Sequence, residues 1–308
     1  MVSNSASPLD ILIWTIMGIL SMASLLGNGF ITVVVGQQWL RNRKLLTCDF
    51  LLISLSTSRF LMQLHASANN LLYLISSETS LDSYNEVDSY IIWLFFNLAS
   101  LWCGTWLSVF YCVKITNFTN HVFLWLKSRI NIFVPRLLGM SIVISSISFL
   151  PPLVEYFGHK KWRNQTGTLP GSANHSKVPH MFIFLPLHLT YTCINFSISI
   201  TASIILLASL WKHKKNLKKS GLGVTDLSTQ VHINVIMLLL FYVFFYLLYF
   251  TGMILFASDS IPLESTERLI VDILTTSFPS AHSIVLILTN PTLKEMAAHV
   301  LNIRRRVS

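Results

Sequence analysis

Charge is what this chain lacks most. Asp, Glu, Lys and Arg make up 11% of its 308 residues, against roughly 25% in a soluble domain. A 34.9 kDa globule needs a polar skin, and 22 basic with 13 acidic residues cannot cover one. Apolar and aromatic residues reach 53% instead, and the mean hydropathy is +0.60. A soluble enzyme, a disordered tail and a DNA-binding protein are all disfavoured, the last despite a pI near 9.5. Enzyme signatures are missing too: there is no HExxH, no GxSxG and no phosphate-cradling GxxxxGK[ST]. No metal or cofactor is expected, and no internal repeat or low-complexity tract divides the chain, which reads as one domain over 1–308. The composition is that of an integral membrane protein.

A bilayer core of about 30 Å needs roughly 20 apolar residues in a helix. Long runs bounded by charge give seven candidates, approximately 11–36, 48–76, 90–113, 131–153, 180–211, 231–257 and 267–289. The first is no signal peptide, because no Lys or Arg precedes it and it is too long for an h-region. The fold class is therefore all-α, a seven-transmembrane helix bundle.

Basic residues orient it. Sixteen fall on one side: Arg41, Arg43, Lys44; Lys114, Lys127, Arg129, Arg136; Lys212, Lys214, Lys215, Lys218, Lys219; Lys294, Arg304, Arg305 and Arg306. Only Lys160, Lys161, Arg163, Lys177 and Arg268 fall on the other. The positive-inside rule then makes the N-terminus extracellular and the C-terminus cytoplasmic. That is the topology of a G protein-coupled receptor, although some channels share seven spans. The sequons Asn164-Gln-Thr and Asn174-His-Ser fall in the second outer loop, which agrees. Asn164, farther from a helix end, is the better acceptor.

The four cysteines are informative by where they are not. Cys48, Cys103, Cys112 and Cys193 all lie in spans, and no outer loop holds one. Cys103 and Cys112 are about 13 Å apart by helical rise, beyond disulfide reach. The disulfide that joins helix 3 to the second outer loop in rhodopsin-like receptors cannot form, and all four are read as packing.

Several stretches resemble one family in register. Residues 101–129, LWCGTWLSVFYCVKITNFTNHVFLWLKSR, look like helix 3 and the second inner loop of the type 2 (bitter) taste receptors. The family's signs recur in LGNGFI at 26–31, LLISLSTSRFLMQ at 51–63, LLASL at 206–210, STQVHI at 228–233 and FPSAHSIVLIL at 278–288. The chain also lacks Asp-Arg-Tyr after helix 3 and Asn-Pro-x-x-Tyr in helix 7. It departs from the family in helix 5, where Asn195-Phe196 stands in place of Pro-Phe. The resemblance implies a multi-pass plasma-membrane receptor for bitter small molecules, signalling through a gustducin-type or inhibitory-class G protein to phospholipase C and calcium release. The rival from another class is a multi-span transporter or channel subunit. That would bring inverted repeats, broken helices or several intramembrane charges along a path. An opsin would need a lysine in 267–289, and none is there.

Buried polar residues suggest the sites. Arg59 sits near the middle of span 2, where a cation costs about 3 kcal/mol on insertion scales and must find acceptors inside the bundle. Asn28, His282 and Ser283 lie at comparable depth, so a network across spans 1, 2 and 7 is expected, serving as a structural lock or as a switch. In the outer half, Trp93 and Asn97 share a face of helix 3, Tyr242, Tyr246 and Tyr249 form a stripe on span 6, and Asp272 lies near the outer end of span 7. The resemblance matches Trp93, Asn97, Tyr249 and Asp272 to positions lining bitter-ligand pockets. By residue type alone they are equally packing groups. Asp272 can meet a cationic ligand, be neutral, or bond Thr275 or Thr276. On the inner side, Tyr111, Lys114, Lys212, Lys215 and His232 mark a surface for a G protein. The lysines there also suit anionic membrane lipid, at about 1 kcal/mol each.

Overall fold

The computed structural model describes residues 8–43, 45–75, 83–116, 121–166, 183–219, 227–257 and 266–301, and every element among them is helical. In chain order these are α1 Pro8–Asn42, α2 Thr47–Ile75, α3 Ser83–Ile115, α4 His121–Ser148, α5 Leu150–Thr166, α6 Leu185–Lys219, α7 Leu227–Ala257, α8 Thr266–Thr289 and α9 Pro291–Val300. Seven of them have 24 residues or more. At 1.5 Å per residue even the shortest spans about 36 Å, more than the hydrocarbon core requires.

Burial is inverted relative to a water-soluble protein. Leu26, Val33, Ile144, Ile204 and Phe244 are exposed, while Ser24, Asn28, Arg59, Asn97, His188 and Asn195 are buried. Lipid outside removes any reason to hide leucine, and it leaves each polar group seeking a partner inside. Six helices are apolar enough to cross a membrane on composition alone. The exception is α2, whose Arg59, Gln63, His65, Asn69 and serines lower its hydropathy. It packs against α1, α3 and α4, so it stands within the bundle.

The fourth helix extends well beyond its expected span. Expected over 131–153, it runs from His121 to Thr166 with a break only at Phe149. Pro151 and Pro152 carry no N–H, which ends α4, and the Phe149 N–H is shared between the Ser145 and Ser146 carbonyls at 3.3 Å each. Prolines are tolerated in the first turn of a helix, where N–H groups lack partners anyway, so α5 starts at once. Lys160, Lys161 and Asn164, assigned by sequence to a loop, therefore lie on α5.

Contacts between helix ends set an up-and-down course. Near the face where α1 begins, here the N-terminal face, His65 Nε2 lies 3.1 Å from the Ser89 carbonyl. At the opposite face Thr47 donates to the Asn131 carbonyl at 3.1 Å. All four cysteines are free, as expected. The α3–α5 connection is polar instead: Tyr156 donates to Asp88 Oδ1 at 2.9 Å, and Lys160 Nζ reaches Asp88 Oδ2 at 2.6 Å. On the opposite face Asn290 caps α9, accepting from the backbone N–H groups of Thr292 and Leu293 at 3.0 and 3.3 Å. Leu293 then buries itself in the aliphatic half of the core, with Leu51, Leu107, Phe110 and Leu286.

The half of the core nearer the N-terminal face is aromatic, built from Tyr90, Tyr156, Phe184, Tyr242, Tyr246, Tyr249 and Phe278. The tyrosine stripe of α7 thus faces inward. Gly252 lets α7 lie close on α8: a Cβ there would stand 3.0 Å from Leu274 Cβ and Thr275 Cγ2. That close approach sets Tyr249 and Met253 beside the first turns of α8.

Candidate ligand site

A cavity of about 290 Å³ opens among α1, α2, α3, α7 and α8 on the N-terminal side. Trp93, Asn97, Tyr249 and Asp272 all line it. The α3 residues are there because positions 90, 93 and 97 follow one helical face. Trp93 stacks on Tyr90 at 5.8 Å and 23°, and Tyr90 stacks on Phe256 at 6.3 Å and 11°. The result is a continuous aromatic shelf, with Tyr90 and Phe256 themselves on the lining.

Polar groups complete the wall. The Asn97 amide nitrogen donates to the Tyr249 hydroxyl at 2.9 Å and lies 3.0 Å from His188 Nε2. The Tyr249 hydroxyl also reaches Asn97 Oδ1 at 3.2 Å. His188 Nδ1 lies 3.0 Å from the Tyr90 hydroxyl, and its ring meets Trp93 edge-on at 5.6 Å. Three helices, α3, α6 and α7, are therefore joined through one asparagine. Asp272 is half-buried on the far wall. The neighbouring Thr275 hydroxyl serves the backbone carbonyls of Val271 and Asp272, each at 3.1 Å.

His188 was missed in the sequence. The signal was a single imidazole in LPLHLTYT, an ionisable group in an otherwise apolar span, which marks a functional position by default.

Comparison with known proteins agrees with this architecture. The family profile described as "Taste receptor protein (TAS2R)" matches residues 6–305. The chain belongs to the type 2 taste receptor family. It is 30% identical over 292 residues to taste receptor type 2 member 60 of Homo sapiens, covering 92% of this chain and 90% of that one. It is 31% identical over 288 residues to member 41 of Pan paniscus (93% and 94% covered) and 31% identical over 284 residues to member 143 of Rattus norvegicus (90% and 93%). The protein is thus a multi-pass receptor of the plasma membrane, a bitter taste G protein-coupled receptor and not an enzyme.

Below the cavity the receptor buries Arg59. Arg59 Nη1 lies 2.7 Å from His282 Nδ1, and its guanidinium sits 4.8 Å over the Phe278 ring. Arginine has no acceptor, so His282 Nδ1 must accept, and the imidazole carries its proton on Nε2. Phe278 and His282 stack at 5.7 Å and 7°, and Tyr242 lies 5.1 Å from His282. The α2–α8 part of the expected network is present. Asn28 is not drawn to Arg59 through its amide nitrogen, which turns back to the Ser24 carbonyl at 2.9 Å. Ser283 donates to the Ser280 carbonyl, and Ser280 in turn reaches the Leu20 carbonyl of α1, both at 2.8 Å. Serine, not Asn28, makes that α1–α8 link.

Asn195, where the family resemblance leads one to expect proline, leaves α6 unbroken. Its Oδ1 accepts from Thr105 at 2.7 Å, its nitrogen donates to the Tyr191 carbonyl at 2.9 Å, and Ser199 donates to Thr105 at 3.0 Å. A second polar contact thereby joins α3 to α6, two turns below Asn97.

At the basic face Tyr111 meets Cys48 Sγ at 3.3 Å, and Lys114 Nζ lies 5.0 Å over Phe110. Lys212 and Lys215 are exposed on the end of α6. The side chain of His232 lies outside the described residues, as does that of Asn164 at the end of α5. Asn174 lies outside them altogether.

Proposed function

We propose that the receptor takes bitter-tasting small molecules into the 290 Å³ cavity and signals through a gustducin-type G protein to phospholipase C and calcium release. The observation that carries this reading is the convergence of Trp93, Asn97, Tyr249 and Asp272 on one concave wall that mixes aromatic with polar side chains. A volume near the lower end of small-molecule sites suits compact amphipathic ligands, with the aromatic shelf taking apolar area and a few polar groups setting orientation. The N-terminal face is extracellular in this reading, supported by the excess of Lys and Arg at the opposite end. The cytoplasmic end, with Tyr111, Lys114, Lys212, Lys215 and His232, receives the G protein, and anionic lipid meets the remaining lysines. Arg59 and His282 lie between the two ends and link α2 to α8, the helix that carries Asp272 into the cavity.

The test is calcium flux in cells co-expressing a gustducin-like G protein, with neutral and cationic agonists and responses normalised to surface expression. Trp93→Ala removes a stacking surface and weakens most agonists by about 1–3 kcal/mol, or roughly 5- to 150-fold. Asn97→Ala acts chiefly on agonists with a polar group in reach of α3. Asp272→Asn selectively weakens cationic agonists. Parallel shifts for every ligand in all three variants, with poor surface delivery, would mean that these residues only pack.

A further inference from the structure

His188 sits behind the cavity wall rather than on it, fully buried, yet it touches three residues that are on the wall: Tyr90, Trp93 and Asn97. A primary amide has two N–H donors and one oxygen with two lone pairs. The Asn97 nitrogen lies within reach of two groups, His188 Nε2 at 3.0 Å and the Tyr249 hydroxyl at 2.9 Å, one for each of its protons. If Nε2 accepts from Asn97, the imidazole is neutral and carries its proton on Nδ1, facing the Tyr90 oxygen at 3.0 Å. The chain of donors then runs one way, from Asn97 to His188 to Tyr90. Asn97 Oδ1 receives Tyr249 at 3.2 Å and keeps a second lone pair.

We propose that His188 is a specificity-determining positioning residue: by occupying an Asn97 N–H it leaves that asparagine only a carbonyl lone pair to offer the cavity, so the site selects ligands that present a hydrogen-bond donor to α3. The class is aromatic or aliphatic molecules bearing a hydroxyl, an ammonium or an amide N–H at that point. Methyl ethers, esters and ketones, which bring only acceptors, would face a lone pair and are disfavoured. This rests on the cavity being the ligand site. It adds what that reading leaves open, the polarity of the contact at Asn97.

The probe is a set of matched phenol and anisole pairs on drug-sized aromatic cores, assayed by calcium flux and normalised to surface expression. The quantity read is the phenol-to-anisole potency ratio, in which changes common to both members cancel. In the unaltered receptor the ratio favours phenols by about 2- to 10-fold, the net worth of one hydrogen bond. His188→Phe keeps a ring against Trp93 but removes the acceptor that fixes the sense of the Asn97 amide, so the amide is free to turn an N–H towards the cavity and the ratio falls to one or below. His188→Leu makes the same prediction with less steric demand, should the phenylalanine variant fail to reach the surface. His188→Gln restores an acceptor and keeps the preference for phenols. A merely structural role would lower potency for both members together and leave the ratio alone. An unaltered receptor that favours anisoles, or His188→Phe and His188→Leu variants that retain the wild-type ratio, would overturn the proposal. Asn97→Ala separates the two readings. A ratio that collapses there but survives in the His188 variants keeps the cavity and removes His188 from the account. A ratio untouched by Asn97→Ala removes both.

Discussion

The polar clasp between α3 and α5 can be taken apart one interaction at a time. Asp88 holds two partners of different kinds. Tyr156 is fully buried, and its hydroxyl donates to the carboxylate at 2.9 Å. Lys160 and Asp88 are 29% and 40% exposed, so their 2.6 Å ion pair is largely screened by solvent. A hydrogen bond to a charged group contributes about 1.5–3 kcal/mol, against about 1 for a neutral pair. An exposed ion pair contributes about 0–1 kcal/mol. Asp88→Asn keeps the shape and removes the charge, and should cost roughly 1.5 kcal/mol, about 1 from the tyrosine and 0.5 from the lysine. In receptor purified into lipid nanodiscs, that lowers the thermal midpoint by roughly 2–5 °C. Double-mutant cycles separate the contributions. The coupling of Asp88→Ala with Tyr156→Phe should exceed that of Asp88→Ala with Lys160→Met at least twofold, by the ratio of those energies. Raising salt from 0.1 to 1 M shortens the Debye length from about 10 to about 3 Å and should erase the lysine coupling while sparing the tyrosine coupling. Equal couplings, or a larger one for Lys160, would refute the reasoning that burial decides which partner matters.

Three further outcomes are expected. Arg59→Ala should impair responses to every agonist, and Arg59→Lys should restore them only in part, because an ammonium lacks the fork that meets His282 while covering Phe278; normal surface expression with unaltered responses in Arg59→Ala would remove the α2–α8 link from signalling. Asn195→Leu should destabilise the receptor by about 1–3 kcal/mol, because the buried Thr105 hydroxyl loses its 2.7 Å acceptor and keeps only the residue-195 backbone carbonyl at 3.4 Å, and the double variant with Thr105→Val should lose less than the sum of the two single variants in the same nanodisc melting assay. Asn164→Gln should remove most of the mobility shift produced by glycosidase, and a shift that persists after both Asn164 and Asn174 are replaced would overturn the extracellular placement of α5.

The scarcity of charge and the number of long apolar runs were enough to read the all-α membrane class, and with the one-sided lysines and arginines they set the expectation of seven spans in one orientation. These are sums over many residues, and a bilayer responds to sums: no single contact has to be known for a 20-residue apolar helix to prefer lipid. The cavity residues were legible because the resemblance supplied positions and helical spacing supplied a shared face. Arg59 and His282 were legible because a buried cation must find an acceptor at its own depth. The tertiary structure alone decided the rest. Asp88 finds Tyr156 and Lys160, Asn97 finds His188, and Thr105 finds Asn195, all across 68 to 91 residues of chain. No local pattern marks such pairs. Whether a given side chain meets its partner depends on the rotation and height of one helix against another, and those are set by packing, by the proline break at Phe149 and by the close approach at Gly252. An amide nitrogen shows the limit most clearly: the sequence says that Asn97 has donors and an acceptor, and only the placement of His188 decides which of them the cavity meets.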